Sequence, residues 1–234
     1  MISGSWLAID TATDVASVAV NAARGTVARS IRGARQHAAQ ILPLVQEVLS
    51  AGMVSLNDLK GIVVGDGPGS FTGLRIGWAA AKGLTRERQL PLLAIPSLLG
   101  AAYGAGVNNV AACYDALRGQ VFGAVYAFQD DAVDTVIKAD LFTISQLAES
   151  AEVALAVGDG AVRYRREVEA WTGRAPLGLE ELPPIAGSLL ALLAYDGARV
   201  ALDRLLAEPT YGRPAEAQVK WESRHGRPLP NPPR

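Results

Sequence analysis

The chain alternates short apolar runs with stretches in which apolar residues recur every three or four positions. "WLAIDTA", "DVASVAV" and "GTVARSI" read as three short strands joined by tight turns, with β-branched residues and alternation carrying the signal. From His37 to about Ser50, Ile41, Leu44, Val45 and Val48 fall at helical spacing. The strand "GIVVG" follows, then the glycine-rich stretch "GDGPGSFTGLRIG" at 65–77, a second helix to about Thr85 and the strand "PLLAI". After "YGAGVNN" the order starts again. "VAACYDA", "QVFGAVYAF" and "DTVIKAD" are strands, followed by a short helix near "SQLAES", the strand "VALAVGDG" and further helices to about Leu206. Two successive β-β-β-α-β-α units predict two related α/β domains, residues 1–106 and 107–234, with the last helix able to pack back on the first. No repeat of about 20 to 50 residues appears, which excludes a solenoid.

Charge narrows the classes. With 22 basic and 23 acidic side chains among 234 residues, the net charge is −1, which argues against a protein that grips nucleic acid over a broad basic face. Residues 211–234 hold five Lys and Arg against two Glu, a local excess that reads first as a solvated tail and second as a tRNA contact. The terminal "HGRPLPNPPR" reads as disordered. A single cysteine, Cys113, excludes an internal disulfide and fits a reducing compartment. Asp10 interrupts the start before a signal-peptide core is complete, and no run approaches the roughly 18 apolar residues of a membrane span. A cytoplasmic protein without a membrane partner is expected.

The glycine-rich stretch invites a phosphate-binding reading and fails its templates. A Walker loop needs Gly-Lys-Ser/Thr, whereas the nearest lysine, Lys82, lies well inside the second helix. A dinucleotide loop needs a third glycine where Ser70 stands, and no G-x-S-x-G elbow is present. The leading reading is structural: Gly67 and Gly69 permit a tight turn, Pro68 stiffens it, and Ser70 or Thr72 caps the helix. Gly73, Gly77 and Ala81 then recur every four residues, which predicts a groove for close packing of another helix. Anion contact by Gly67, Gly69, Ser70 and Thr72 is the second reading. Catalysis by Ser70, with His37 as its base, is the third.

"LAIDTAT", "HAAQILPLV", "VGDGPGSFTGLRIG" with "AKGL", "YDALRGQVF" and "PTYGRPAEA" together resemble the TsaB family, also called YeaZ, over residues 6 to about 217. That resemblance implies a two-lobed actin-like ATPase (ASKHA) fold. It also implies a non-catalytic paralogue that supports a TsaD-like catalytic subunit in forming threonylcarbamoyladenosine at position 37 of tRNA, with a TsaE-like ATPase as third member and tRNA met through the complex. The expected partner surface is His37, Ile41, Leu44, Val45 and Val48 of the first helix with Gly73, Leu74, Gly77, Trp78 and Ala81 of the second. The same surface would form a homodimer when the partner is missing.

No cofactor of its own is expected, ATP and a metal ion being assigned to the partner subunits. TsaD-like proteins carry a metal on H-x-x-x-H, and here His37 is followed four residues on by Ile41. Asp10, Thr11 and Thr13 occupy the phosphate hairpin of actin-like kinases, but Ala12 replaces its glycine, so the nucleotide site reads as a relic. "GDGA" at 158–161 resembles an adenosine-side turn. Asp115 and Arg118 read as a charged turn before an active-site pair, and Leu117 departs from the family's Asp-Ala-Arg. Trp6, Trp78, Trp171 and Trp221 show no RNA-stacking motif and read as core or interface residues. The alternative is a stand-alone enzyme, a sugar-kinase-like phosphotransferase or a serine peptidase.

Overall fold

The computed structural model describes residues 4–33, 36–86, 88–195, 197–202, 206–213 and 224–226. Trp221 and almost all of the terminal tail lie outside them.

The first half runs β1 (Ser5–Asp10), β2 (Val15–Ala22), β3 (Gly25–Arg32), α1 (His37–Gly52), β4 (Leu59–Asp66), α2 (Phe71–Arg86), β5 (Leu92–Pro96) and α3 (Ser97–Gly104). The second runs β6 (Asn109–Asp115), β7 (Val121–Gln129), β8 (Ala132–Phe142), α4 (Ile144–Ser150), β9 (Leu155–Val157), α5 (Asp159–Arg163), α6 (Arg165–Thr172), α7 (Ile185–Ala191) and β10 (Val200–Ala201). The last predicted strand of the repeat shrinks to three residues because Gly158 turns the chain at φ 107°.

The first sheet has the order β10-β5-β4-β1-β2-β3, with β1, β4 and β5 parallel. The second has the order β8-β7-β6-β9, with β6 and β9 parallel. Register in the first sheet sets Ala8 beside Ala19 on one side and Val63 on the other. Because successive side chains point to opposite faces, β1 divides cleanly. Leu7 and Ile9 join the core beneath α1 and α2, while Trp6 and Ala8 face α3 and α7. Burial on both faces explains why these strands read as near-continuous apolar runs.

The two lobes share one of their cores. Val110, Ala112, Phe122 and Ala124 of the second sheet belong to the same cluster as Ala8, Ala19 and Val63 of the first, with α3 and α7 contributing Leu98, Ile185 and Leu189. Helix α7, late in the sequence, packs on β1 and β2, and the Ala186 N–H donates to Ser17 Oγ at 2.9 Å. Strand β10 likewise adds to the first sheet beside β5. Among the described residues, no helix is long and apolar enough to cross a membrane.

Candidate functional site

The carboxyl ends of β1, β4 and β6 open on one cleft of about 480 Å³, the place where open α/β sheets bind ligands. Its walls are the β1–β2 turn (Ala12–Asp14), the start of α2 (Gly69–Phe71), the β6–β7 turn (Asp115–Leu117) and Asp159, with Tyr211 and Arg213 arriving from the C-terminal segment.

On the first lobe's side, the chain itself fills the places a phosphate would take. The Ser70 N–H donates to Ala12 O at 2.7 Å, so the leading amide of α2 is already occupied. Ser70 Oγ accepts the Gly73 N–H at 3.2 Å, which makes Ser70 the cap; Thr72 is exposed. A Cβ on Gly69 would overlap Ala12 O, and one on Gly67 would overlap Thr210 O. The glycines permit close approach of backbone to backbone.

The expected groove along Gly73, Gly77 and Ala81 is likewise filled from within. Thr11 Oγ1 donates to Gly73 O at 2.7 Å, and a Cβ on Gly77 would overlap Thr11 Oγ1. Leu74, Trp78 and Ala81 are buried in the protein's own core, and the Trp78 indole N–H reaches Gly65 O at 3.3 Å. On α1, Ile41, Leu44, Val45 and Val48 pack with Leu7, Ile9, Val18 and Val20. His37 is buried beside them, its Nε2 3.2 Å from Asp14 O. These residues share one face of each helix, as the spacing predicts, but that face points inward. Helical periodicity defines a stripe without saying what covers it.

Among the described residues, no hydrogen bond joins His37 to Ser70, and no three His, Cys, Asp or Glu side chains cluster as a metal site would require. Asp115 pairs with Arg163 at 3.1 Å instead of with Arg118, which sits at φ 55° in the turn. The lining therefore offers Asp14, Asp115 and Asp159 against Arg213. Burial raises the Asp159 carboxyl above the usual carboxylate range. Asp14 is itself paired with Arg32 at 3.5 Å and Asp115 with Arg163, so two of these three charges are already balanced. Gly158 and Gly160 of "GDGA" pack against the Cys113 carbonyl and the Tyr114–Asp115 backbone, which leaves no room for a side chain there.

Asp10 lies behind this cleft, fully buried at the end of β1. Ser97 and the Ala12 backbone stand close enough to favour its charged form, though neither meets its oxygens at full hydrogen-bond geometry. The Tyr114 hydroxyl lies 3.0 Å from Ser97 O and 2.8 Å from Ser97 Oγ, which links it to the same buried corner. Burial pushes the Asp10 carboxyl up to about 6. Thr11 and Thr13 are buried on either side of Ala12, Thr13 Oγ1 accepting the Val15 N–H at 3.2 Å.

A segment that the sequence reading gave no structural role crosses the cleft. Thr210 donates both its N–H and its hydroxyl to the Asp66 carboxylate at 2.9 Å. The Tyr211 ring lies 4.5 Å from that of Phe71, and Arg75 bonds the Tyr211 hydroxyl at 3.1 Å while its guanidinium stands 4.3 Å from the Phe71 centroid. Arg213 donates to Ala116 O and Gln120 Oε1, both at 2.6 Å. Residues 210–213 thus tie the glycine loop of one lobe to the β6–β7 turn of the other. The run "PTYGR" was a visible sequence signal, but its partners lie 93 to 144 residues away.

Two α/β lobes around a shared core, with the cleft at their strand ends, make this a protein of the two-lobed actin-like ATPase fold. Comparison with known proteins narrows the class. A family profile described as "TsaD: tRNA N6-adenosine threonylcarbamoyltransferase" matches residues 22–168. The "tRNA threonylcarbamoyladenosine biosynthesis protein TsaB" of Escherichia coli K12 is 32% identical, covering 94% of this chain and 98% of that one. Its Bacillus subtilis counterpart is 29% identical, covering 92% and 96%. The solved structure of YeaZ from Pseudomonas aeruginosa superposes with a TM-score of 0.75 at 28% identity, covering 89% of this chain and all of that one. The chain belongs to the TsaB family of tRNA threonylcarbamoyladenosine biosynthesis proteins.

Proposed function

We propose that this chain is a non-catalytic subunit of the machinery that forms threonylcarbamoyladenosine at position 37 of tRNA, and that it binds a TsaD-like paralogue through the outward faces of α1 and α2. ATP and metal belong to the partner subunits, a TsaE-like ATPase among them, and tRNA is met through the complex. The cytoplasm is the compartment this role requires. A glycine loop closed on its own chain supports the non-catalytic reading.

The observation that carries the interface is Gly83. It is exposed near the end of α2, and a Cβ there would meet nothing within 4 Å. An exposed helical glycine costs about 1 kcal/mol relative to alanine, and nothing among the described residues requires it. Close approach of a second backbone would require it. Ala79 is exposed one turn earlier, and the neighbouring α1 exposes Ala38, Ala39, Gln40, Leu42, Pro43 and Gln46, with Glu47 the one charged residue on that side. The two helices touch, and the Glu47 carboxylate on the outward side of α1 pairs with Arg29 at 3.1 Å. With the partner absent, the same surface can pair two copies of the chain.

The test is co-purification with the TsaD-like protein of the same cell, followed by tRNA modification in the reconstituted system. Gly83→Leu and Leu42→Glu should fold normally, lose the complex and lose modification, whereas Gly83→Ala should keep both. Unchanged affinity in both disruptive variants would refute the surface. Steady ATP turnover by the isolated chain that vanishes in Asp10→Ala or Ser70→Ala would refute the non-catalytic reading.

A further inference from the structure

Phe128 lies six residues beyond Phe122 on β7, about 20 Å from the cleft at the rise of a strand. A second cavity, of about 340 Å³, opens there, lined by Tyr103, Phe128 and Tyr195 together with Asn108 and Asp130. The three rings come from separate parts of the chain: the end of α3, the end of β7 and the turn after α7.

Their arrangement is close to orthogonal. Tyr103 and Phe128 make 71° at a centroid separation of 5.8 Å, Tyr103 and Tyr195 make 79° at 5.6 Å, and Phe128 and Tyr195 make 89° at 6.5 Å. A point facing two perpendicular rings at equal distance sees their centroids separated by about 1.4 times that distance. These separations therefore correspond to a point about 4.0 to 4.6 Å from each centroid, inside the roughly 6 Å reach of a cation–π contact. Edge-to-face packing at the rim of a core would also give perpendicular rings. Here the rings also line an open cavity that carries the Asp130 carboxylate.

The β7–β8 turn places the carboxylate of Asp130 at this cavity, with Asp131 next to it in the turn. Asp130 is held at φ 49° in that turn, and burial, then the Tyr103 hydroxyl and last Asp131, hold the Tyr195 phenol above its usual range. Among the described residues neither aspartate has an ion-pair partner, and no basic side chain lines the cavity. Aromatic faces supply a negative quadrupole that favours a poorly hydrated cation, and Asp130 adds net negative charge. We propose that this cavity is a binding site for an organic cation of the alkylammonium class, either free or as the methylated or basic side chain of another protein.

The test uses tetramethylammonium chloride with the full chain, following the methyl proton resonance against a sodium chloride control. Ring currents should move that resonance upfield with saturation in the millimolar range. Tyr195→Leu should abolish the shift. Asp130→Asn, an exposed turn substitution that keeps the fold, should weaken binding about two- to fivefold. The neutral isostere 3,3-dimethylbutanol should bind much more weakly. Parallel titrations with the amides of N-acetyl-trimethyllysine and N-acetyl-arginine identify the source: tighter binding than tetramethylammonium assigns it to a protein side chain, equal or weaker binding to a free cation. No saturable shift, equal binding of the neutral isostere, or unchanged binding in Asp130→Asn would overturn the proposal and leave the rings as core packing.

Discussion

Asp10 gives the sharpest prediction because a fully buried carboxyl, whose burial outweighs its polar neighbours, must act on stability through its titration. Its folded value of about 6 stands against an ordinary 3.8, a difference of about 2 units at 1.36 kcal/mol each, or about 3 kcal/mol. The sign is fixed by which state holds the proton. Between those values the folded chain is protonated and the unfolded chain is not, so stability falls as pH rises. The neutral form's stability is fully present below about pH 3.8 and is lost progressively up to about pH 6, above which the penalty is complete. Asp10→Asn removes this titration and keeps the shape. The amide brings N–H donors that must also be buried, which costs about 1 to 3 kcal/mol and shifts the variant's curve as a whole. The diagnostic is therefore the difference between the two proteins as a function of pH. Urea unfolding of both, from about pH 4 to 7, should show the variant gaining about 2 kcal/mol on the parent across that range. All other carboxylates cancel in the comparison. A difference that stays constant with pH would show that Asp10 ionises freely in the folded state and that the account of its burial is wrong.

Gly77→Leu should destabilise the isolated chain by at least the 1 to 3 kcal/mol typical of overpacking, read as a lower urea midpoint, because its Cβ would overlap Thr11; a variant of unchanged stability would refute that placement. Arg213→Ala should raise amide hydrogen exchange at Ala116–Phe122 and lower stability by about 1.5 to 3 kcal/mol, since two hydrogen bonds from a charged donor are lost together. Exchange unchanged at that turn would show that the C-terminal crossing segment does not hold the lobes.

The element order was legible because both sheets are covered on two faces and both long helices carry their apolar residues at regular spacing. The first helix was expected at 37 to about 50 and runs to Gly52, and the second was expected to end at Thr85 and ends at Arg86. What stayed hidden was the direction of a face. Helix α2 has small residues on two sides: Gly73, Gly77 and Ala81 inside, Ala79 and Gly83 outside. Spacing picked out the first set, and only the position of Thr11 shows that it is already covered. Asp115 illustrates a second limit. Its nearest arginine in sequence is three residues away, but the partner the fold supplies is 48 residues away on α5. The crossing segment has the same character, since Thr210 meets Asp66 only after both lobes have formed.

The glycine loop also shows why a likeness to phosphate-binding loops misleads here. Glycine answers any demand for close approach, whether from a ligand or from the chain's own backbone. In this protein the approaching groups are Ala12 O, Thr11 O and Thr210 O, and all three are carbonyl oxygens. Carbonyls point negative charge into the space a phosphate would enter and accept the amides it would need. Admitting an anion would require Ser70 to give up its bond to Ala12 O and residues 210–213 to leave the cleft. That couples nucleotide entry to opening of the lobes. A nucleotide that bound tightly to the intact chain while exchange at residues 66–75 and 116–122 stayed unchanged would contradict this coupling.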